Sequence, residues 1–396
     1  MMISVEEAIK LVGENTPRMS TTKIGLSDAL GCVVSEDILS PVTFPPFAQS
    51  AMDGYAVNGR DIHEFELVGE IKAGDDGSRV SLNRGQAVRV FTGAMVPESA
   101  DAVIKQEDII RDQNSIRLNV DRKIKELENI RPEGEQIQKD EIVISKGTKV
   151  NNGVISYCAM LGIEGVSVYK KPSICIVTTG SELVAPGNDL KPGQIYDSNS
   201  VMLNSSLQEL GFDSEIFSTS DDLDKTKSVL SNAITKFDLV LITGGISVGD
   251  YDFVQEALNE NGVSKIFYKV KQKPGKPLYM GVKGNTVVFG LPGNPASVHS
   301  CYHVYVLPAI RYLLGLPAKE NRETRLLIGS ISKAAGRTQF MKAVQTNDSV
   351  ELLKGQSSAM LGDLVEANCL LVFPEEKEIL ENERVEIFHL PQPYLF

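Results

Sequence analysis

The chain has 396 residues, a formal net charge of -12 and a pI near 5.0. At about 100–200 residues per domain, this length predicts two to four domains. Such an acidic balance argues against nucleic acid as a partner, because phosphate backbones are bound by a basic face. It still allows a local basic pocket.

Cysteine usage and hydropathy indicate the compartment. The chain has five cysteines, an odd number, and none lie in a CxxC pair. This argues against a disulfide framework and a cysteine-based zinc site, and it fits a reducing cytosol. No signal-peptide core opens the sequence, and no apolar run approaches the ~18 residues that span a membrane. We therefore expect a cytoplasmic protein without a membrane partner.

The first predicted element is a helix in "SVEEAIKLVGENT", where Ser4 and Glu7 form a capping box. Three prolines in "SPVTFPPFAQSAMDGYAV" then indicate a boundary. Residues 56–130 contain short alternating segments separated by Gly, Asp and Asn, which predict an all-β module. A further helix follows in "NNGVISYCAMLGI". We predict that the β module is inserted into a domain formed by the flanking segments.

From Lys171 onwards, apolar strands alternate with helices, which predicts a doubly wound α/β sheet, parallel or mixed. Within it, "KPLYMGVKGNTVVFGLPGNP" predicts a hairpin that turns at Gly284 and Asn285. After Pro317, short strands predict a small β barrel or sandwich. The resulting domains are 1–45 with 138–168 (elongated, helices and strands), 46–137 (inserted β module), 169–318 (α/β) and 319–396 (C-terminal β barrel).

Three glycine-rich loops follow apolar strands: "TTGSELV", "ITGGISVGDYDF" and "GLPGNPAS". Their glycines allow backbone N–H groups to approach a ligand and form anion-binding nests, although glycine turns also simply end strands. In the third loop, Asn294 and Pro295 predict a helix N-terminus, which favours an anion. Because ligands bind at the carboxyl ends of strands in such sheets, three loops at one edge favour a ligand site.

Carboxylates accompany these loops. Glu182, Asp250 and Asp252 stand beside the nests, where a carboxylate commonly holds Mg²⁺ or orients a hydroxyl. Helix capping is the alternative, and Ser247 or Asp250 suits it.

Two other carboxylate positions also have two readings. Asp221 and Asp222 fall at the same sheet edge, and they are equally suited to cap the helix that starts near Leu223. In "AQSAMDGYAV", Asp53 is flanked by small residues, which fits either approach by another surface or a local Asx-turn. The segment "FTGAMV" adds a hydroxyl-glycine turn at Thr92.

A basic turn, "KVKQKPGKP" (269–277), places four lysines in nine residues of an acidic chain. It is either a solvated loop or a receptor for an anion. It follows a predicted strand at the same edge as the glycine loops, and prolines and a glycine stiffen it, so we favour the receptor. Lys273 and Lys276 are the strongest candidates, and Lys271, on the opposite strand face from Lys269, is the expected bystander.

Two histidines, His299 and His303, are spaced i, i+4 on the last helix of the α/β region. A zinc site needs a third ligand or an intervening Glu, and "HSCYH" has neither, so we expect a structural role. The sequence contains no GxSxG, Walker A or GxGxxG element.

Seven segments together resemble the molybdopterin molybdenumtransferase family, in the family's order and nearly end to end. They are "SAMDGYAV", "FTGAMVPESADAVIKQED", "TTGSELV", "PGQIYDSNS", "DLVLITGGISVGDYDF", "KPGKP" and "GLPGNPASV". The α/β region alone also resembles the molybdopterin adenylyltransferase family, but the N-terminal β module and the C-terminal barrel favour the former.

The resemblance implies a specific reaction. Molybdenum from molybdate is inserted into adenylylated molybdopterin with Mg²⁺ as cofactor, which releases AMP and forms molybdenum cofactor. It also implies a homodimer in which the "SAMDGYA" module of one subunit faces the α/β domain of the other. A transient molybdopterin adenylyltransferase is the implied partner. The alternatives are the adenylyltransferase step itself and a non-enzymatic scaffold, and the lack of a long linker or extra domain speaks against the scaffold.

Site residues carry over from the family position by position. The resemblance implies catalytic roles for Asp53, Thr92, Glu182, Asp252, Lys269, Lys273 and Lys276. Among these, it implies Mg²⁺ ligands at Asp53, Glu182 and Asp252. It implies substrate contacts at Gly180, Ser181, Asp221, Asp222, Gly244, Gly245, Ser247, Gly249, Asp250, Pro292, Gly293, Asn294, Ser297, Lys342 and Ser358.

Two positions depart from the family pattern. Gln136 replaces an Asp that is common there, so a carboxylate role is lost at that position. Lys342 stands where the family usually has Arg, which keeps one positive charge but loses the bidentate geometry of a guanidinium. Both changes are expected to alter affinity rather than reaction class.

Overall fold

The structure is a computed structural model that describes residues 2–119, 123–247, 253–317, 322–331, 336–358, 361–375 and 378–390. By internal contacts the chain divides into two compact units. The first comprises Met1–Thr22, Gly31–Val33 and Tyr169–Phe396, and the second comprises Lys23–Leu30 and Val34–Val168. The four-domain division stays a prediction.

The described α-helices include most of those expected from the sequence. Their bounds are α1 (Val5–Asn15), α2 (Asn152–Met160), α3 (Asn199–Glu209), α4 (Leu223–Lys236), α5 (Val254–Glu260), α6 (Pro295–Cys301) and α7 (Leu307–Leu313). A π-helical segment, Tyr302–Val306, joins α6 to α7. The predicted cap of α1 is confirmed, because Ser4 Oγ accepts a hydrogen bond from the Glu7 N–H at 3.1 Å. None of the described helices is long and apolar enough to cross a membrane.

The second unit is built on a six-stranded sheet, mostly antiparallel, in the order β7-β4-β6-β5-β9-β8. Successive residues of β4 point to opposite faces, with Tyr55 in one apolar cluster and Ala56 in the other. The predicted β-rich N-terminal module is therefore confirmed. The strands up to this unit's end are β1 (Thr21–Gly25), β2 (Ile38–Leu39), β3 (Gln49–Ser50), β4 (Gly54–Val57), β5 (Glu64–Ile71), β6 (Gln86–Val90), β7 (Ala102–Lys105), β8 (Ile109–Arg111), β9 (Ser115–Leu118), β10 (Ile130–Arg131), β11 (Ile142–Ile144) and β12 (Gly165–Tyr169).

The first unit contains the predicted doubly wound sheet, in the order β16-β13-β17-β21-β20-β18. Strands β16, β13, β17 and β21 are parallel, and β20 and β18 complete a mixed edge. The hairpin of β20 and β21 turns at Gly284 and Asn285 as predicted. These strands are β13 (Ile174–Thr179), β14 (Leu183–Val184), β15 (Ile195–Tyr196), β16 (Ser214–Thr219), β17 (Leu239–Thr243), β18 (Ser264–Tyr268), β19 (Gln272–Lys273), β20 (Tyr279–Lys283) and β21 (Thr286–Leu291).

Helices cover both faces of this sheet. One face packs Ile176 and Leu241 against α1, α3 and the helices from α6 to α7. The other packs Val177 and Ile242 against α4 and α5. Because strand residues alternate between faces, the central strands β13 and β17 are buried along their whole length, which is the pattern of a sheet covered on both sides.

The C-terminal strands close into a five-stranded barrel in the order β23-β24-β22-β26-β25, with β25 returning to β23. This closure settles the predicted choice between barrel and sandwich. Strand β19, which lies within the basic turn, pairs in parallel with β23 and attaches that turn to the barrel. The strands are β22 (Arg322–Ile328), β23 (Thr338–Gln345), β24 (Ser349–Leu352), β25 (Cys369–Phe373) and β26 (Arg384–His389).

Candidate functional site

A cavity of about 900 Å³ lies within the first unit, at the carboxyl ends of β13, β17 and β21. Because these strands are parallel, their following loops meet at one sheet edge. The barrel closes another side of the same cavity. Its walls are formed by Thr179–Gly180, Glu182–Leu183, Ile195–Asn199, Asp221, Thr243–Ser247, Gln272–Pro277, Pro292–Pro295, Ser297, Arg337, Gln339–Met341, Gln356 and Ser358.

The loop after β17 requires glycine. Gly244 has φ 84, in the left-handed region, and a Cβ there would lie 2.7 Å from the carbonyl oxygen of Thr179. Two neighbouring strand ends can approach this closely only because the side chain is absent. The predicted sites Gly245 and Ser247 line the cavity in the same loop. Gly249, Asp250 and Asp252 lie outside the described residues.

The loop after β13 is connected to the end of β16. The Ser181 N–H donates to Asp221 Oδ2 at 3.0 Å, and the Asp221 N–H donates to Ser181 Oγ at 3.4 Å. Asp221 thereby shapes the cavity wall. Asp222 instead caps α4, since its Oδ1 accepts from the Lys225 N–H at 2.9 Å, and it does not line the cavity. Asp221 therefore lies at the ligand-site edge of the sheet, and Asp222 is the residue that caps the helix.

Glu182 is the exposed carboxylate of this loop. If Gly180 carried a Cβ, that atom would lie 2.7 Å from Glu182 Oε2. The Glu182 side chain therefore folds back over the loop. Among the described residues, no cluster of three His, Cys, Asp or Glu side chains is arranged to hold a metal. Mg²⁺ nevertheless often uses one or two carboxylates together with water and substrate phosphates. The Glu182 carboxylate fits a shared site of that kind.

The four lysines of the basic turn have different positions. Lys273 and Lys276 line the cavity, whereas Lys269 and Lys271 do not. Lys269 has φ 69, and its Nζ lies 4.9 Å from the centre of the Tyr268 ring. The structure therefore brings the two strongest candidates to the cavity, whereas Lys269, for which the resemblance implies a catalytic role, lies outside the cavity wall.

The loop after β21 meets both neighbouring elements. Asn199 Nδ2 donates to the Gly293 carbonyl at 2.8 Å, and Asn294 Nδ2 lies 3.4 Å from Ser358 Oγ in the barrel. Pro295 is the first residue of α6 as predicted, although no hydrogen bond from the Asn294 side chain caps that helix. The predicted residues Pro292, Ser297 and Ser358 also line the cavity.

The barrel contributes a cation that sequence reasoning missed. Arg337, just before β23, lines the cavity. The predicted residue Lys342 is only 4% exposed and is absent from the cavity wall, and its Nζ lies 3.4 Å from the Ser357 carbonyl. Burial lowers the pKa of Lys342. The turn "GRTQ" at the start of a strand was the available signal for Arg337.

Two buried polar atoms of the cavity wall are also informative. Asn199 Oδ1 and Thr243 Oγ1 have no hydrogen-bond partner among the described residues. Buried polar atoms are nearly always paired, so a bound polar ligand is a natural partner for both. Neither residue was predicted, because nothing in the local sequence distinguishes them from ordinary strand and helix ends.

In the second unit, Asp53 and Thr92 form a small exposed corner. Asp53 Oδ1 accepts hydrogen bonds from the Thr92 N–H at 2.8 Å and the Thr92 Oγ1 at 2.9 Å. These bonds, aided by the charge of Arg89, hold the pKa of Asp53 below its usual range. The carboxylate therefore bridges two distant loops rather than closing a local Asx-turn.

The histidine pair lies behind the cavity. The His299 and His303 rings stack edge to face with their centres 4.5 Å apart. Burial, together with the charge of Lys342, lowers the pKa of His299 to about 4, and burial, together with His299, holds the pKa of His303 well below its ordinary value. Both rings are therefore neutral at pH 7, and the structural role of the pair stays a prediction.

Three family models match the chain in order. They are the MoeA N-terminal region (domain I and II) at residues 3–162, a probable molybdopterin binding domain at 175–312, and the MoeA C-terminal region (domain IV) at 327–390. Together they follow the β-rich module, the α/β sheet and the barrel. The resemblance carried by the sequence motifs is therefore confirmed by matches along nearly the whole chain.

Individual relatives indicate the same family as the three family models. A molybdopterin molybdenumtransferase of Staphylococcus epidermidis is 33% identical over 354 residues, covering 87% of this chain and 84% of the relative. A molybdopterin molybdenumtransferase of Staphylococcus aureus is 30% identical, covering 94% of this chain and 91% of the relative. The crystal structure of the molybdopterin biosynthesis MoeA protein from Pyrococcus horikoshii OT3 superposes on this chain with a TM-score of 0.83 at 29% identity. The match covers 98% of this chain and 100% of that protein's chain. The chain belongs to the molybdopterin molybdenumtransferase family.

Proposed function

We propose that the cavity binds adenylylated molybdopterin and molybdate, and that the enzyme transfers molybdenum to the pterin dithiolene with release of AMP. One observation carries this: Lys273, Lys276 and Arg337 surround the same cavity as the glycine loops. Molybdate is a dianion and the substrate carries a phosphoanhydride, so cations and backbone N–H groups are the chemistry that both need. A cavity of about 900 Å³ suits a ligand of this size.

Each part of the wall has a proposed role. Lys273 and Lys276 bind the oxyanions, while Gly180, Gly244 and Ser247 contact the phosphates through their loops. Asp221 acts through Ser181, whose N–H it accepts at 3.0 Å. The unpaired Asn199 Oδ1 and Thr243 Oγ1 receive polar groups of the substrate.

Mg²⁺ is proposed as the metal cofactor. Glu182 would hold it together with substrate phosphate oxygens, as Mg²⁺ prefers. When bound, the ion neutralises charge on the phosphoanhydride. Within the chain, Glu182 orients this site, and Lys273 and Lys276 stabilise the negative charge that develops on the departing AMP.

A second copy of the chain is proposed to complete the site. The exposed carboxylate of Asp53 accepts two hydrogen bonds from Thr92, which further favour its charged form. In the proposed homodimer this corner contributes to the partner's cavity. A molybdopterin adenylyltransferase would dock transiently to deliver its labile product, and the enzyme would act in the cytoplasm.

The test is molybdate-dependent AMP release. The purified protein is incubated with adenylylated molybdopterin and Mg²⁺, with and without molybdate. We expect molybdate to stimulate AMP release and chelation of Mg²⁺ to abolish it. A protein that instead consumes ATP with molybdopterin, indifferent to molybdate, would be an adenylyltransferase, and the proposal would be wrong.

A further inference from the structure

The basic turn (269–277), called the lysine turn from here on, contains a buried glutamine. Gln272 immediately precedes Lys273, yet its side chain is 0% exposed. Its Nε2 donates to the Gly275 carbonyl at 3.0 Å and contacts Cys301 Sγ at 3.4 Å, while its Oε1 accepts a hydrogen bond from Tyr305 OH. Both ends of the amide are therefore paired inside the protein.

This pairing matters because a buried amide with an unpaired end is costly. The geometry of the partners thus restricts Gln272 to one orientation. The bond to the Gly275 carbonyl closes a loop that contains Lys273 and Pro274, with Lys276 following at once. The positions of both cavity lysines therefore depend on a residue that does not carry their charge.

The turn is also seated closely on the helix behind it. Gly275 has φ 85, and a Cβ there would lie 2.6 Å from Cys301 Sγ and 2.9 Å from Gln272 Nε2. No larger residue fits at this point without displacing the network. The thiol of Cys301 is fully buried, and burial raises its pKa to about 12, so it acts here as a neutral packing group.

The helix geometry that presents Tyr305 has its own cause. Pro308 has no N–H and its ring crowds the carbonyl one turn earlier, which disfavours regular α-helix just before it. The preceding Tyr302–Val306 is π-helical, and the Leu307 N–H donates to the Tyr302 carbonyl, five residues back. Tyr305, in this widened turn, is 0% exposed with its hydroxyl on Gln272.

We propose that Gln272 and Tyr305 are positioning residues, which together with Cys301 hold the lysine turn in its anion-binding shape before substrate arrives. Lysine side chains are flexible, so pre-arranging their backbone removes part of the ordering cost of binding. The proposal rests on the anion-binding role of Lys273 and Lys276 given above. It assigns to the buried network the task of making that role effective.

The first variant is Gln272→Met, which keeps length and volume but removes every hydrogen bond of the amide. We expect KM for adenylylated molybdopterin to rise about tenfold, the effect of one lost buried hydrogen-bond set, with kcat within about twofold. Tyr305→Phe removes one hydroxyl and should raise KM about threefold. If Gln272→Met fails to fold, Tyr305→Phe alone decides, and an unchanged KM for it overturns the proposal.

The double variant Gln272→Met/Tyr305→Phe separates positioning from stability. Unlike Gln272→Met alone, the double variant leaves no tyrosine hydroxyl unpaired, so its Tm should recover from that of Gln272→Met towards the wild-type value. Under the proposal KM stays raised despite that recovery. If KM returns to the wild-type value along with Tm, the network is merely structural and the proposal is overturned.

A cycle with Lys273→Ala distinguishes this proposal from the proposed site itself. If Gln272 acts through the two cavity lysines of the turn, Gln272→Met should add little to the KM of a Lys273→Ala/Lys276→Ala protein. If Lys273→Ala leaves KM unchanged, the anion site falls and the positioning role with it. If Lys273→Ala raises KM while Gln272→Met does not, the site stands and only the positioning role is overturned.

Discussion

The lysine turn and the Asp53 corner both present charge on a short loop, but different forces hold them. Gln272 anchors the turn from inside the protein at 0% exposure, with one partner in the turn itself, Gly275, and another in the helical segment behind it, Tyr305. In the corner, Asp53 is itself exposed, and Thr92 supplies both of its close hydrogen bonds.

This difference shows where each loop is sensitive. A buried network transmits any change of shape, because its neighbours have no room to adjust. An exposed carboxylate responds mainly to the protonation state and to the donors that stabilise its charge. We therefore expect steric changes to affect the turn and pH changes to affect the corner.

The largest expected effect comes from removing the charges of the turn. Lys273→Ala/Lys276→Ala should lower kcat/KM on the order of 100-fold, because each lysine supplies a charge-assisted contact. The measurement is steady-state AMP release, with circular dichroism to confirm folding. Lys271→Ala is the matched control, since Lys271 lies in the same turn but not on the cavity wall. An equal loss in this control would contradict the assignment.

A matched pair of glycines tests whether steric changes affect the lysine turn more than the Asp53 corner. Gly275 and Gly93 both have positive φ, 85 and 82, but only Gly275 would place a Cβ against Cys301 Sγ, at 2.6 Å. Gly275→Ala should lower the free energy of unfolding by about 3 kcal/mol, from strain and overpacking together. Gly93→Ala should cost about 1 kcal/mol, from backbone strain alone. Urea denaturation measures both, and equal costs would show that the turn is no more tightly packed than the corner.

The helix behind the turn should carry a pH dependence of stability. The pKa of His299 is lowered to about 4 in the folded protein, from 6.5 unfolded. Between these values the unfolded state binds more protons, so stability falls as pH falls from about 6.5 to about 4 and is fully present above that window. The expected loss is about 3 kcal/mol.

The His299 expectation is checked by denaturation at several pH values. Substituting His299→Gln should make the curve shallower across that window, and His303, whose pKa burial also lowers, should carry the slope that remains. His63, whose side chain is exposed, provides the control, and His63→Gln should leave the curve unchanged. A wild-type slope in the His299 variant would contradict the prediction.

The smallest expected effect concerns the corner. Thr92→Val removes the hydroxyl bond to Asp53 but keeps the backbone N–H, so the pKa of Asp53 should rise part of the way to its ordinary value. The acid limb of the activity profile should then shift to higher pH by less than about one unit. Thr92→Ser, which keeps a hydroxyl, should retain the wild-type limb. If both variants behave alike, the hydroxyl does not tune Asp53.

The sequence predicted much of the architecture because the relevant signals are local. Alternating apolar strands and helices indicated the doubly wound sheet, and the two residues at Gly284 and Asn285 indicated a hairpin. The order of family motifs indicated the reaction class. The same motifs indicated Lys342, which is buried and absent from the cavity wall, and did not indicate Arg337, which lines the cavity.

The sequence by itself determined the elements, the glycine loops and the presence of four lysines in one turn. Only the tertiary structure decided that Lys273 and Lys276 line the cavity while Lys269 and Lys271 do not, and that Gln272 pairs with Tyr305, 33 residues away. The physical reason is range. Caps, turns and strand patterns depend on bonds between near neighbours, whereas a side chain's direction and its distant partners depend on how the whole core packs.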